Sequence, residues 1–290
     1  MQLSNDWKDY KIIATGNGEK LEDWNGVKLL RPDPQVIWPS KTDLSKTKDL
    51  NGHYIRESTG GGRWISKSKM LDEWTINYKD LSFSIKPMGF KHTGLFPEQA
   101  INWDTMRGII RQNKLNYSEP IKVLNLFAYT GGATVACAKE FAFVTHVDAA
   151  KGMIERAKIN CSLSRIPDTS VRWILDDCKK FMQRELKRGK KYDAIILDPP
   201  SYGRGPDGSV FKLEDSLFEL IKLATKLLSD KPLFVLLNSY TTGLGASVMQ
   251  NILRLNLPTG DIKSYELCLP TEEKDIVMPC GNSALWRASI

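Results

Sequence analysis

Apolar positions in the first ninety or so residues come in short runs. YKIIA, GVKLLR, GHYIRE, RWIS, WTINY and LSFSIK are rich in β-branched and aromatic residues, with Gly, Pro, Asn and Asp between them. That pattern predicts short strands. TGNGEK and NYKDLS suit tight turns between antiparallel neighbours, and the proline-laden RPDPQVIWP predicts an extended connection. STGGGRW (Ser58 to Trp64) has the glycines of a phosphate loop. No GK[ST] follows it and no helix opens there, so a hairpin turn is expected.

From about Pro97 the period changes. PEQAINWDTMRGIIRQNKL carries Ile101, Met106, Ile109 and Ile110 at helical spacing, with Pro97 suited to the first turn. Strand and helix patterns then alternate: IKVLNLF, GATVACAKEF, AFVTHVD, KGMIERAKINCSLS, VRWILDD, KKFMQRELKRG, YDAIILDPP, EDSLFELIKLATKLLS, PLFVLLNS. Such alternation requires crossovers, hence a parallel sheet covered on both faces. DIKSYELCLP and SALWRASI read as two closing strands with no helix between them, one of them antiparallel. The prediction is an α/β chain: a small β-rich domain over residues 1–95, then a Rossmann-like, doubly wound, mostly parallel seven-stranded sheet over 96–290.

Composition narrows this only slightly. The chain has 290 residues, 41% hydrophobic and 26% charged, with no apolar run long enough to span a membrane. MQLSNDWKDYKII lacks the pattern of a secretory signal. Cysteines 137, 161, 178, 268 and 280 show no zinc-type spacing, and neither do histidines 53, 92 and 146, so buried thiols, a cytoplasmic location and no metal are expected. The formal charge of +7 favours a polyanionic partner without requiring one.

The chemistry starts at VLNLFAYTGGAT (Val123 to Thr134), where a strand pattern gives way to small residues. In a doubly wound sheet, ligands sit at the carboxyl ends of the strands. The segment has neither the GxGxxG of dinucleotide binders nor the GxxxxGK[ST] of P-loop enzymes. S-adenosylmethionine has no pyrophosphate and needs no phosphate cradle. It needs close approach of backbone to its methionine end, which Gly131 and Gly132 would permit. The next strand ends at Asp148, seventeen residues after Gly131, where a carboxylate can accept from both ribose hydroxyls. The third ends at Asp177 and Cys178, suited to the adenine amino group and a ring nitrogen, and the fourth at LDPPSY. For each acid alone, capping the next helix is an equal explanation. Four consecutive strand ends carrying matching elements are a stronger signal.

Together VLNLFAYTGGATVACA, VDAAKGMIERAKIN, DDCKKF and ILDPPSY resemble class I S-adenosylmethionine-dependent methyltransferases, and among these the branch that modifies 23S ribosomal RNA at cytosine C5 or guanine N7. GFKHTGLFPEQAINWD resembles the segment that precedes the catalytic domain in that branch. The resemblance implies a cofactor site of Phe96, Gln99, Asn125, Phe127, Ala128, Tyr129, Thr130, Gly131, Asp148, Ala149, Asp177, Cys178 and Asp198, and catalytic roles for Asp198, Pro199 and Tyr202. Asp198 and the Pro199 carbonyl can accept hydrogen bonds from an acceptor N–H, and Tyr202 can stack on an extruded base. Covalent C5 chemistry needs a thiolate, and neither PPSY nor LLNSYTTG offers a cysteine. Asn238 and Ser239 can orient a base edge or simply close a strand end.

YGRGPDGSV (Tyr202 to Val210) predicts a mobile active-site loop, with a plain solvent loop as the alternative. The basic run Lys179, Lys180, Arg184, Lys187, Arg188, Lys190 and Lys191 is expected at the far end of a crossover. Lys67, Lys69, Lys86, Lys91 and Arg204 are the expected phosphate contacts. The resulting expectation is an enzyme methylating a ribosomal RNA base. The alternatives are a small-molecule or protein acceptor, or a non-catalytic RNA-binding protein. The oligomeric state is open.

Overall fold

The computed structural model describes every residue except 58–60, 69, 205–209, 242 and 290. The chain divides into two units. One comprises Gln2–Ile101 and Cys268–Cys280, the other Met1, Asn102–Leu267 and Gly281–Ile290.

In the first unit, Tyr10–Gly16, Glu19–Trp24, Val27–Pro32, Gly52–Arg56 and Gly62–Ser66 form a five-stranded sheet in that order, and Trp74–Tyr78 pairs with Leu81–Ile85. The turn in TGNGEK forms as expected, with Asn17 and Gly18 at φ 54° and 80°. Glu19–Trp24 is a strand that the sequence reading passes over, because its charges hide it. Glu22 is 0% exposed and pairs with Arg31 at 2.5 Å, while Lys20 reaches Asp33 at 3.1 Å. Burial pushes the Glu22 carboxyl up, but the Arg31 and Lys20 charges outweigh it and hold the group below the usual carboxylate range. The returning segment is tied in by the Ser4 N–H to the Cys268 carbonyl at 3.0 Å and the Glu272 N–H to the Ile12 carbonyl at 2.9 Å. The Thr15 N–H and hydroxyl both donate to Glu273 Oε2 at 2.7 Å.

The second unit holds β1 (Lys122–Leu126), β2 (Phe143–Asp148), β3 (Val171–Leu175), β4 (Ala194–Leu197), β5 (Phe234–Ser239), β6 (Gly260–Pro270) and β7 (Val277–Ala288), the last two continuing into the first unit. The strand order is β6-β7-β5-β4-β1-β2-β3. β1 to β5 run parallel and β7 runs antiparallel to β5. The sheet has eight strands rather than seven, because Gln2–Leu3 adds an edge beside β6. The helices are α1 (Ala100–Asn113), α2 (Gly132–Lys139), α3 (Lys151–Leu163), α4 (Cys178–Lys187), α5 (Leu213–Thr225) and α6 (Ala246–Asn256). α6 lies between β5 and β6, where the sequence reading ended its alternation.

The central strands are buried along their whole length, AIIL in β4 and FVLLNS in β5, because helices cover both faces. α4 shows the complementary pattern, burying Phe181, Met182 and Glu185 and exposing its lysines. The strand order reverses between β1 and β4, where Leu126 lies beside Leu197. A crevice opens at such a switch point, at the carboxyl ends of the two strands.

Candidate functional site

The chain leaves β1 and turns at once through Phe127, Ala128, Tyr129, Thr130 and Gly131 into α2. Phe127, Tyr129 and Gly131 have φ of 55°, 50° and 80°. Left-handed Phe and Tyr are strained by about 1 kcal/mol or more each, so the surroundings must hold them. They do. The Ala128 N–H donates to the Val147 carbonyl at 3.1 Å and the Gly131 N–H to the Ala128 carbonyl at 3.0 Å. The Tyr129 N–H donates to Asp148 Oδ2 at 2.8 Å, and the Asn160 amide, from α3, to the Thr130 carbonyl at 2.8 Å. The Phe127 N–H reaches Cys178 Sγ at 3.2 Å.

The glycines also have a packing role. A Cβ at Gly131 would lie 2.9 Å from Ala157 Cβ, and one at Gly132 would lie 2.8 Å from the Trp103 ring. Their missing side chains let α3 and Trp103 approach the turn closely. Below the turn, Asn125 Nδ2 donates to Thr134 Oγ1 at 2.9 Å, and Thr134 Oγ1 meets His146 Nδ1 at 2.9 Å. His146 is fully buried against Trp173, ring centroids 4.9 Å apart. Burial lowers its pKa to about 3, so the ring is neutral.

Asp148, at the end of β2, is half-buried, with Ala149 exposed beside it. Oδ2 accepts from Tyr129 and Oδ1 from the Ala150 N–H at 2.8 Å. Burial raises its pKa, and those N–H groups act against the rise. The Ala149 N–H also bonds to this carboxylate, and a carboxylate's remaining lone-pair capacity can accept from a hydroxyl. Asp177 is exposed and caps α4, accepting from the Lys180 N–H at 2.8 Å. Cys178 opens that helix, where the first N–H groups have no intrahelical partner. Its sulfur is buried, and burial pushes the thiol up to about 12, as it also does at Cys137 and Cys161. None of the three is a thiolate near neutrality.

Asp198 follows β4 directly and is half-buried, its N–H 3.5 Å from the Leu126 carbonyl. Pro199 is buried, Ser201 is exposed and Tyr202 is 49% exposed. Asn125, Phe127, Ala128, Tyr129, Thr130, Gly131, Asp148, Ala149, Asp177, Cys178 and Asp198 are thus brought to one edge of one sheet. Phe96 and Gln99 belong to the first unit, where the Gln99 N–H donates to the Phe96 carbonyl at 3.1 Å.

Three expectations change. The ends of Tyr202–Val210 are paired rather than loose: Tyr202–Arg204 forms a hairpin with Val210–Lys212. Residues 205–209, the tip of STGGGRW, Lys69 and the Arg204 side chain lie outside the described residues. The basic run starts in the first turn of α4, so Lys179 and Lys180 sit beside Asp177 rather than at the far end. Lys67 and Lys86 are exposed, but Lys91 is half-buried and burial lowers its pKa to about 8. The Asn238 carbonyl oxygen accepts from Asn102 at 3.1 Å and Ser283 at 2.6 Å inside a buried network. Thr134, His146 and Asn160, which brace the turn, were not anticipated. Their signal was available: each is a polar residue at a position where the surrounding pattern calls for an apolar one.

Among the described residues, no His, Cys, Asp and Glu cluster could hold a metal, and no helix is long and apolar enough to cross a membrane. The family model for S-adenosylmethionine-dependent methyltransferases matches residues 12–249. The chain belongs to that family. A crystal structure of the S-adenosylmethionine-dependent methyltransferase from Agrobacterium tumefaciens superposes with a TM-score of 0.88 at 32% identity, covering 98% of this chain and 91% of that one. Two curated relatives are ribosomal RNA large subunit methyltransferases. Enzyme K/L of Colwellia psychrerythraea is 27% identical over 235 residues, 78% of this chain and 30% of that one. Enzyme I of Tolumonas auensis is 33% identical over 126 residues, 42% of this chain and 29% of that one. The matches span under a third of either relative's length.

As a member of this methyltransferase family the protein uses S-adenosylmethionine, and its donor set fits that molecule. A half-buried carboxylate with spare lone pairs suits ribose hydroxyls. Free N–H groups at a helix start suit a purine edge.

Proposed function

We propose that this methyltransferase acts on a base of ribosomal RNA. The observation that carries the reading is that the carboxyl ends of four neighbouring strands, β4, β1, β2 and β3, share one side of the sheet, with the Asp198 N–H facing the Leu126 carbonyl at the end of β1. The names of the curated relatives and the charge of +7 support RNA as the acceptor.

When bound, S-adenosylmethionine supplies a methyl group already activated on a sulfonium. The turn Phe127–Gly131 holds the methionine end, with Asn125 beneath it. Asp148 accepts from the ribose hydroxyls, and Ala149 packs beside it. Asp177 and the Cys178 N–H read the adenine edge. The protein then has to place a nucleophile in line with the methyl and keep water out. Asp198 and the Pro199 carbonyl accept from the acceptor's N–H groups, orienting it, and Tyr202 stacks on the flat base. The high thiol pKa values and the absence of cysteine after β4 and β5 favour a nitrogen nucleophile over covalent chemistry at C5.

Nucleoside mass spectrometry of ribosomal RNA from cells with and without the gene tests this. One methyl mark should disappear. An unchanged set of marks would overturn the RNA reading.

A further inference from the structure

A pair of hydroxyls stands at the carboxyl ends of β4 and β5 without a part in the chemistry described so far. Thr241 Oγ1 and Ser201 Oγ are 2.7 Å apart. Ser201 lies three residues beyond Asp198, and Thr241 two beyond Ser239, the last residue of β5. Both backbones are anchored. The Ser201 carbonyl accepts from the Leu213 N–H at 3.1 Å, pinning the foot of the Tyr202–Lys212 hairpin to the start of α5. The Thr241 N–H donates to Ser239 Oγ at 3.1 Å.

The direction of the bond between the two hydroxyls follows from their burial. Thr241 is 8% exposed, whereas Ser201 is exposed. A buried hydroxyl proton without an acceptor costs on the order of one hydrogen bond, and among the described residues Ser201 Oγ is the acceptor Thr241 Oγ1 faces. Donation from Thr241 to Ser201 avoids this and leaves the Ser201 proton free. Ser201 lies just past the carboxyl end of β4, on the side of the sheet where the switch point opens.

We propose that Ser201 is an acceptor-recognition residue and Thr241 its positioning residue. By occupying one lone pair of Ser201, Thr241 orients the Ser201 hydroxyl and leaves its proton to donate. The methylated group that this proton serves presents a hydrogen-bond acceptor, a ring carbonyl or an unprotonated ring nitrogen, next to the atom that takes the methyl. Asp198 and the Pro199 carbonyl accept, and Ser201 donates. This combination reads a nucleobase edge carrying both kinds of group, and it discriminates against a plain amine. The inference rests on the C-terminal end of β4 being the acceptor side, as proposed above.

The test is a double-mutant cycle with the full chain. Methyl transfer from radiolabelled S-adenosylmethionine is measured to total RNA and to the RNA-free fraction of extracts from cells lacking the gene. Ser201→Ala and Thr241→Val should each lower kcat/KM about tenfold to a hundredfold. S-adenosylmethionine affinity by calorimetry and the melting temperature should stay as in the wild type. Because Thr241 works through Ser201, the double variant should be no worse than Ser201→Ala. Thr241→Ser, which keeps the hydroxyl, should restore activity. Independent effects, failure of Thr241→Ser to rescue, or wild-type kcat/KM in Ser201→Ala would overturn the proposal. Label in the RNA-free fraction alone would overturn the RNA reading, and the same cycle, run on that acceptor, would still decide the role of Ser201.

Discussion

At the scale of single residues, the site depends on groups whose ionisation is set by burial. Asp148 anchors the turn by accepting the Tyr129 N–H, and in the proposed function it also accepts from the cofactor ribose. Asp148→Ala should weaken S-adenosylmethionine binding by about thirtyfold to a hundredfold, as expected for losing hydrogen bonds to a charged acceptor, read by calorimetry. Asp198→Ala should leave that affinity nearly unchanged and lower methyl transfer by a factor on the order of 100 or more. Equal turnover in that variant would remove Asp198 from the mechanism. His146 gives a pH signature. Its folded pKa is lowered to about 3, while the unfolded chain's value lies near 6.5. Its contribution is therefore fully present above about pH 6.5 and is lost as pH falls, because the unfolded chain binds the proton first. Stability should fall by about 1.4 kcal/mol per pH unit below that point. His92, which burial also lowers to about 3, contributes a slope in both proteins, so urea titrations between pH 7.5 and 5 should show a steeper slope in the wild type than in His146→Gln, and equal slopes would remove His146 from the effect.

At the scale of elements, the strained turn after β1 is held by its neighbours rather than by its own sequence preferences. β2 supplies the Val147 carbonyl and Asp148, α3 supplies Asn160, and α4 supplies the Cys178 sulfur. Gly131→Ala would add a Cβ 2.9 Å from Ala157 at a positive φ. It should cost about 2 kcal/mol or more in stability, and cofactor affinity should fall with it, because the turn and α3 must move apart. Gly152→Ala on α3, where the added Cβ meets nothing within 4 Å, is the matched control and should leave both unchanged. The Tyr202–Lys212 hairpin shows the limit of composition. Its glycines and polar residues read as a free loop, but strand pairing at both ends gives it a fixed foot.

At the scale of the whole molecule, the first unit is not a contiguous stretch of chain. Residues 268–280 return to it and supply acceptors for Thr15 and a backbone bond to Ile12. A fragment of residues 1–101 should therefore be less stable than the same unit in the full chain. Thermal unfolding of the fragment, followed by circular dichroism, should give a lower midpoint than the full chain's N-terminal signals. An equal midpoint would show that the returning segment contributes nothing.

Local pattern determined the alternation of β1 to β5 with their helices, the tight turn at Asn17 and Gly18, and the positions of Asp148, Asp177 and Asp198 at strand ends. Each follows from neighbours in sequence: side-chain period, turn chemistry, and the termination of an apolar run. The strand Glu19–Trp24 escaped, because its charges are compensated by Arg31 and Asp33, which only pairing brings near. α6 escaped although Met249 and Leu253 repeat at helical spacing. The sequence alone determined a doubly wound methyl-donor fold and the residue types at its mouth. Tertiary structure decided why Gly131 and Gly132 must lack side chains, which donors Asp148 and Asn238 accept from, and that Ser201 and Thr241 meet across two strands. Those facts depend on distances between residues far apart in the chain, and a one-dimensional pattern carries no such distances.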